Sequence, residues 1–424
     1  MLTRLRPEFR SLPEAEVAEA VLRRCVHCGF CTATCPTYRL LGDENDGPRG
    51  RLYLMKAFLE GGPAGSDTVR HLDRCLTCRS CETTCPSGVE YHRVLERVRP
   101  QAAERLGLPW RERLARAAIG SLMPRPDRVT ALLDLARHFD FLLPGRLRRR
   151  LPQVPRLPSW RDTSGHTTML VLPGCVQQVT HPGTNRGLAR LLARQGVGLR
   201  AIESPSCCGA LNAHLDQDDA ARHLMQSMIE TWERACREQQ SEVPVLAAAS
   251  GCGLHLREYG EHFAGSSGWA ERAAAFAAAV RDPAEVLEPE RVQGLAAHSP
   301  FPRIVFHAPC TLQHGLRLDA RVRELLTAAG FELLPVREPW RCCGSAGAWS
   351  LLHPELSERL LEARMAGFPL EAADAVVTAN VGCQMHIATA TALPVLHWIE
   401  LLAEAADRRD ASRNQSPETG SESR

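Results

Sequence analysis

Cys25, Cys28, Cys31 and Cys35 form one run, and Cys75, Cys78, Cys81 and Cys85 form a second. A proline follows each run, Pro36 and Pro86, ending the loop and turning the chain away. The C-x-x-C-x-x-C-x-x-x-C-P order is that of two-cluster ferredoxins. A cubane needs one thiolate per iron; the tight loop supplies three, and the fourth comes from the other run. This predicts two 4Fe–4S clusters, one on Cys25, Cys28, Cys31 and Cys85, the other on Cys75, Cys78, Cys81 and Cys35. Zinc sites instead join separate C-x-x-C pairs, which these four-cysteine runs do not resemble. His27 lies between ligands, where it either tunes a cluster or serves as a surface or structural histidine.

A second set of thiols occurs in two copies. Cys175, the pair Cys207-Cys208 before Gly209, and Cys252 are followed by Cys310, the pair Cys342-Cys343 before Gly344, and Cys383. The interval from Cys175 to Cys207 equals that from Cys310 to Cys342. Adjacent cysteines bond to each other only with strain, but both sulfurs can face one soft metal centre. These eight are a candidate further centre; the alternative is that they are buried small hydrophobes. Cys236 stands alone on a helical stretch and reads as structural.

The elements that position these groups follow from periodicity. Residues 1–99 read as a helical two-cluster ferredoxin-like domain, with a helix after Asp46-Gly47-Pro48 that ends at Gly61-Gly62. Residues 100–165 lack cysteine and read as a helical linker containing the arginine cluster Arg146 to Arg150, a solvated face or a docking patch. Residues 166–290 and 300–405 each read as strand, helix, CysCysGly, helix, strand and Gly-Cys, which is a duplicated α/β unit. In open α/β sheets ligands bind at the carboxyl ends of strands, so all eight repeat cysteines are expected to converge on one edge. Residues 406–424 are polar and expected to be disordered. The fold class is therefore α+β and multidomain.

Composition excludes several functions. The formal net charge of +2 argues against nucleic acid as a partner. No apolar run is long enough to span a membrane and the first residues lack a signal core, so a reducing cytoplasm is expected, where cysteines serve as metal ligands. Gly196-Val197-Gly198 follows a helix and leads into a strand, the reverse of a dinucleotide fingerprint. No flavin site or phosphate loop is apparent. The chain alone thus lacks a two-electron cofactor.

Cys25-Val-His-Cys-Gly-Phe-Cys-Thr-Ala-Thr-Cys-Pro-Thr-Tyr38, Gly47-Pro-Arg-Gly-Arg51 and Cys81-Glu-Thr-Thr-Cys-Pro-Ser-Gly88 resemble the iron–sulfur subunits of bacterial glycolate oxidase. So do Cys310-Thr-Leu-Gln-His314, Cys342-Cys-Gly-Ser-Ala-Gly347 and Gly382-Cys-Gln-Met-His386. The resemblance implies an oxidoreductase complex with flavoprotein subunits that carry FAD and oxidise glycolate to glyoxylate. It also implies a quinone or other membrane electron acceptor, and a peripheral position on the cytoplasmic face of the inner membrane. The repeats are similar to CysCysGly domains of heterodisulfide reductase subunits, which end in C-x-x-C; here His255 and His386 stand in the last position. Alternative readings are an electron-transfer subunit for lactate, glycerol 3-phosphate or 2-hydroxyglutarate oxidation, or a heterodisulfide or thiol reductase using the CysCysGly pairs.

Overall fold

The computed structural model describes residues 3–10, 15–142 and 162–415. The amino-terminal region is helical. Cys35 caps the helix Pro36–Leu41, whose first position is proline, and Pro48 opens the helix Pro48–Glu60. Proline suits a helix start because the missing N–H would be unpaired there. Gly61 closes the second helix at φ 75°. These helices and Ala15–Arg24, Ser66–Asp73 and Tyr91–Leu106 enclose Leu22, Met55, Leu72, Val94 and Leu95, all fully buried. The expected division at residues 99 and 100 falls inside Tyr91–Leu106, which runs through Pro100. Its apolar stripe, Val94, Leu95, Val98 and Ala102, continues across that point and keeps it on the same core. The helices Trp110–Leu122 and Pro126–His138 follow. The Arg146 to Arg150 cluster lies outside the described residues.

The two repeats each build a four-stranded parallel sheet. β1 (Thr167–Val171), β2 (Val197–Ala201), β3 (Val245–Leu246) and β4 (Val280–Arg281) lie in the order β2-β1-β3-β4. β5 (Arg303–His307), β6 (Glu332–Leu333), β7 (Ala375–Thr378) and β8 (Val395–His397) lie as β6-β5-β7-β8. Their central strands are apolar on both faces, as parallel strands covered by helices must be. The sheets share one core, in which Val171, Leu188 and Leu192 join Ile304, Leu325 and Trp398. Among the described residues, no helix is long and apolar enough to cross a membrane.

The expected disordered tail at 406–424 is corrected for its first part. The last helix runs Trp398–Gln415 and packs on the first repeat. Ala405 and Ala406 are buried, Arg190 pairs with Asp407 at 2.8 Å, and Arg194 reaches Asp410 at 2.8 Å. Partners distant in sequence thus hold a segment whose own composition is polar. Residues 416–424 lie outside the described residues.

Buried ion pairs fasten the ferredoxin region to the repeats. Arg116 bridges Asp73 and Asp216, the latter at 2.8 Å, and Arg99 reaches Asp216 at 2.9 Å. Trp349 donates its indole N–H to the Asp73 carbonyl at 3.2 Å.

Candidate metal centres and the cavity between the repeats

The two cysteine loops have matching backbones. His27 and Thr77 occupy the same loop position and both have positive φ, at 57° and 51°. Gly29 and Arg79 match likewise, at 82° and 60°. These left-handed turns point successive thiols inward, at a cost of about 1–2 kcal/mol for each non-glycine residue. Arg79 is held in this conformation by an ion pair to Glu258 of the first repeat.

Cys25, Cys28, Cys31 and Cys85 line one small cavity. Cys35, Cys75, Cys78 and Cys81 line another. Cys81 reaches the wall of the first cavity as well, so each cavity holds thiols of both runs, the second through Cys35. Burial, then the neighbouring Cys25, Cys35, Cys85 and Cys28, pushes the Cys31 thiol up to about 11. Among the described residues, the ferredoxin thiols contribute no group of three within 4.8 Å of one another. That spacing is too open for a single ion and leaves room for an inorganic core. Tyr91 lines both cavities; its buried hydroxyl makes no hydrogen bond to nitrogen or oxygen and stands beside the Cys75 thiol. The residues present therefore fit two multi-iron clusters.

A buried polar network lies against the second quartet. Asp46 accepts from His71 Nδ1 at 3.0 Å and from Arg74 at 3.0 Å. Arg51 donates to the His71 carbonyl at 2.7 Å and to Thr37 Oγ1 at 3.1 Å. Burial works against the Arg51 charge, but Cys75, Tyr91, Cys35 and Asp46 around it hold its pKa above the ordinary range. A fixed cation thus sits where thiolates gather.

All eight repeat cysteines line one cavity of about 530 Å³ between the two halves, together with Cys78 of the ferredoxin loop. β1 and β3 are parallel in one sheet and β5 and β7 in the other, and Cys175, Cys252, Cys310 and Cys383 follow the carboxyl ends of these strands. Gly344 has φ 86°, and a Cβ there would meet the Ser357 carbonyl at 2.7 Å. The turn after each cysteine pair lets the Gly209 and Gly344 N–H groups donate to Cys207 Sγ and Cys342 Sγ, at 3.4 and 3.3 Å. Hydrogen bonding to Cys207, then burial, raises the Cys175 thiol.

His255 and His386 also line the cavity. His386 Nε2 is bonded to Ser357 Oγ at 3.0 Å, whereas His255 Nε2 has no partner and burial holds its pKa well below the ordinary histidine value. Cys236 lies apart and accepts from the Val243 N–H at 3.4 Å. The His27 ring lies tilted against Tyr53, with centroids 4.9 Å apart. Sequence reasoning missed Arg51 and Tyr91. Arg51 shares the Pro48–Glu60 helix with Arg49, Lys56 and Glu60, so charge alone did not single it out; its complete burial does.

Comparison with known proteins agrees with this layout. The 4Fe-4S dicluster domain family matches residues 21–89, and the Cysteine-rich domain family matches 169–257 and 304–388. The glycolate oxidase iron-sulfur subunit of Escherichia coli (strain K12) is 40% identical over 96% of this chain and 100% of its own length. The chain belongs to the family of glycolate oxidase iron–sulfur subunits. The probable glycolate oxidase iron-sulfur subunit of Bacillus subtilis (strain 168) is 29% identical over 92% of this chain and 95% of its own. Lactate utilization protein A of Shouchella clausii is 30% identical over 50% of this chain and 87% of its own. Membership makes this an iron–sulfur protein of 4Fe–4S type and a homologue of oxidoreductase subunits.

Proposed function

We propose that this chain is the electron-transfer subunit of a flavin-dependent complex that oxidises glycolate to glyoxylate, taking electrons from a partner flavin and delivering them to a quinone or other acceptor. One observation carries the electron-transfer reading: two thiol quartets share Tyr91 as a wall, and the second quartet opens through Cys78 onto the cavity between the repeats. The substrate rests on likeness to the Escherichia coli subunit.

When bound, a 4Fe–4S cluster takes up and releases one electron at a time. The chain's own residues do the rest. Cys25, Cys28, Cys31 and Cys85 hold one cluster, and Cys75, Cys78, Cys81 and Cys35 hold the other. Arg51 offsets negative charge beside Cys75 and Cys35. Leu76, Trp349 and Leu360 pack around Cys78 beside the cavity. Cys175, Cys207, Cys208, Cys252, Cys310, Cys342, Cys343 and Cys383 form the candidate further centre or acceptor pocket.

Cys28 is exposed, and Val26, Phe30 and Tyr53 around it are each more than half exposed. This apolar rim suits docking of a flavoprotein that carries FAD and the hydroxy-acid oxidation site. Trp110, Leu114, Leu132 and Leu135 form exposed apolar surface on two consecutive helices, which supports peripheral attachment at the cytoplasmic face of a membrane.

The test is anaerobic EPR of the chain assembled with its flavoprotein subunits. Glycolate should generate reduced-cluster signals, with about eight irons and eight sulfides per chain. Absence of reduced signals, with the flavin itself reduced, defeats the electron-transfer reading. Reduction by lactate and not glycolate moves the substrate to the class named by the lactate utilization relative.

A further inference from the structure

Tyr91 opens the helix Tyr91–Leu106, and its side chain forms part of the wall of both ferredoxin cavities. It is 4% exposed and belongs to the core that holds Val94 and Leu95. A phenylalanine ring would fill that space without a polar atom. The tyrosine hydroxyl is buried, and no nitrogen or oxygen accepts from it. A buried donor without an acceptor costs about 1–3 kcal/mol, so packing alone does not account for a tyrosine here. The residue at the matching position after the first run, six beyond Cys35 as Tyr91 is six beyond Cys85, is Leu41.

The thiols that act on the hydroxyl are Cys75 and Cys81, both of the second loop. Burial, then the neighbouring Cys75, raises the hydroxyl well above its ordinary pKa, so it keeps its proton and is available as a donor. A thiolate bound to iron retains lone pairs and negative charge, which makes the Cys75 sulfur the acceptor that the hydroxyl lacks. Other hydroxyls of the second cavity are committed to carbonyls. Thr37 Oγ1 lies 3.4 Å from Cys35 Sγ but donates to the Asp46 carbonyl at 2.7 Å, and Thr77 Oγ1 donates to the Leu76 carbonyl at 2.7 Å.

The two quartets also differ in exposure. Cys28 of the first is exposed, whereas Cys35 and Cys81 of the second are buried. A cluster gains negative charge on reduction; burial disfavours that charge and lowers the potential. A hydrogen bond to a ligand sulfur stabilises the charge and raises the potential. Arg51, beside Cys75 and Cys35, acts in the same direction.

We propose that the Tyr91 hydroxyl donates to the Cys75 sulfur of the second cluster and raises that cluster's potential relative to the first. Tyr91 acts on the iron through Cys75 and is a positioning residue. Its effect is to hold the electron on the cluster that faces the repeats, away from exposed Cys28. This role rests on the electron-transfer reading given above.

The full chain with both clusters, purified anaerobically, is titrated by EPR-monitored potentiometry beside Tyr91→Phe. About eight irons and eight sulfides per chain in each protein show that both clusters are present. Cys28→Ser, which leaves the second quartet complete, assigns the two waves. The expected result is a lower potential for the second cluster in Tyr91→Phe, with that of the first unchanged. A fluorinated tyrosine at position 91, whose more acidic hydroxyl is the stronger donor, should move the same cluster to higher potential. That variant keeps both ring and hydroxyl, and it decides the matter if Tyr91→Phe does not assemble. A second-cluster potential that ignores both changes, or equal shifts of the two clusters, overturns the proposal and leaves the electron-transfer reading intact. A parent chain without clusters overturns both.

Discussion

The thiol of Cys78, in the second ferredoxin loop, stands within hydrogen-bonding reach of the thiol of Cys310, at the carboxyl end of β5. Local chain geometry brings neither residue to the other; the contact exists because the Leu76, Cys342, Trp349 and Leu360 side chains pack around both. Cys78→Ser should remove one cluster, so that iron and sulfide fall to about four each. Cys310→Ser should keep about eight of each and alter only the EPR line shape of the second cluster. Metal analysis and EPR of the two variants distinguish ligand from neighbour.

Exchange of the fourth ligand makes an order-dependent prediction. Cys85 follows the second loop but lines the cavity of the first. Cys85→Ser should therefore destabilise the cluster held by Cys25, Cys28 and Cys31, and Cys35→Ser the one held by Cys75, Cys78 and Cys81. Pairing each variant with Cys28→Ser tests this: Cys85→Ser with Cys28→Ser should cost only one cluster, whereas Cys35→Ser with Cys28→Ser should cost both.

Arg51 is a buried cation among thiols and Asp46. Arg51→Met removes positive charge beside Cys75 and Cys35 and should lower the reduction potential of the second cluster, read by EPR-monitored titration. The same change removes one cation from buried Asp46 and should cost about 3–5 kcal/mol in stability by analogy with broken buried pairs. Arg51→Lys keeps the charge and should retain most of the potential, while losing the forked contacts to His71 and Thr37.

Asp282 supplies a pH test remote from the cysteines. It caps the helix Pro283–Val286 by accepting from the Ala284 N–H at 2.9 Å, and burial pushes its carboxyl up to about 7. In the unfolded chain it ionises near its ordinary value, so between about pH 4 and 7 the folded state binds more protons. Its contribution to stability is then full at the acid end of that window and is lost as pH rises through it. The gap in denaturation midpoint between the parent and Asp282→Asn should shift against the parent over this range; a gap independent of pH shows that Asp282 does not titrate there.

Several features were legible before folding was considered. The ferredoxin loops are local: three thiols within seven positions reach one core through a short turn, so their spacing carries their chemistry. The repeat was legible because each copy restates the same order of strand, cysteine pair and glycine. The end of the last helix was not. Asp407 to Gln415 reads as a polar tail, and only Arg190 and Arg194, far back in the chain, give Asp407 and Asp410 their partners.

The sequence by itself therefore determined the paired ferredoxin loops, the duplication and the family, since each depends on residues near one another along the chain. Tertiary structure alone decided that Cys78 meets Cys310 and that eight repeat thiols line one cavity. Those relations are set by how parallel sheets stack and where their strands end. No spacing in the chain records a distance between two surfaces that meet only after both have folded.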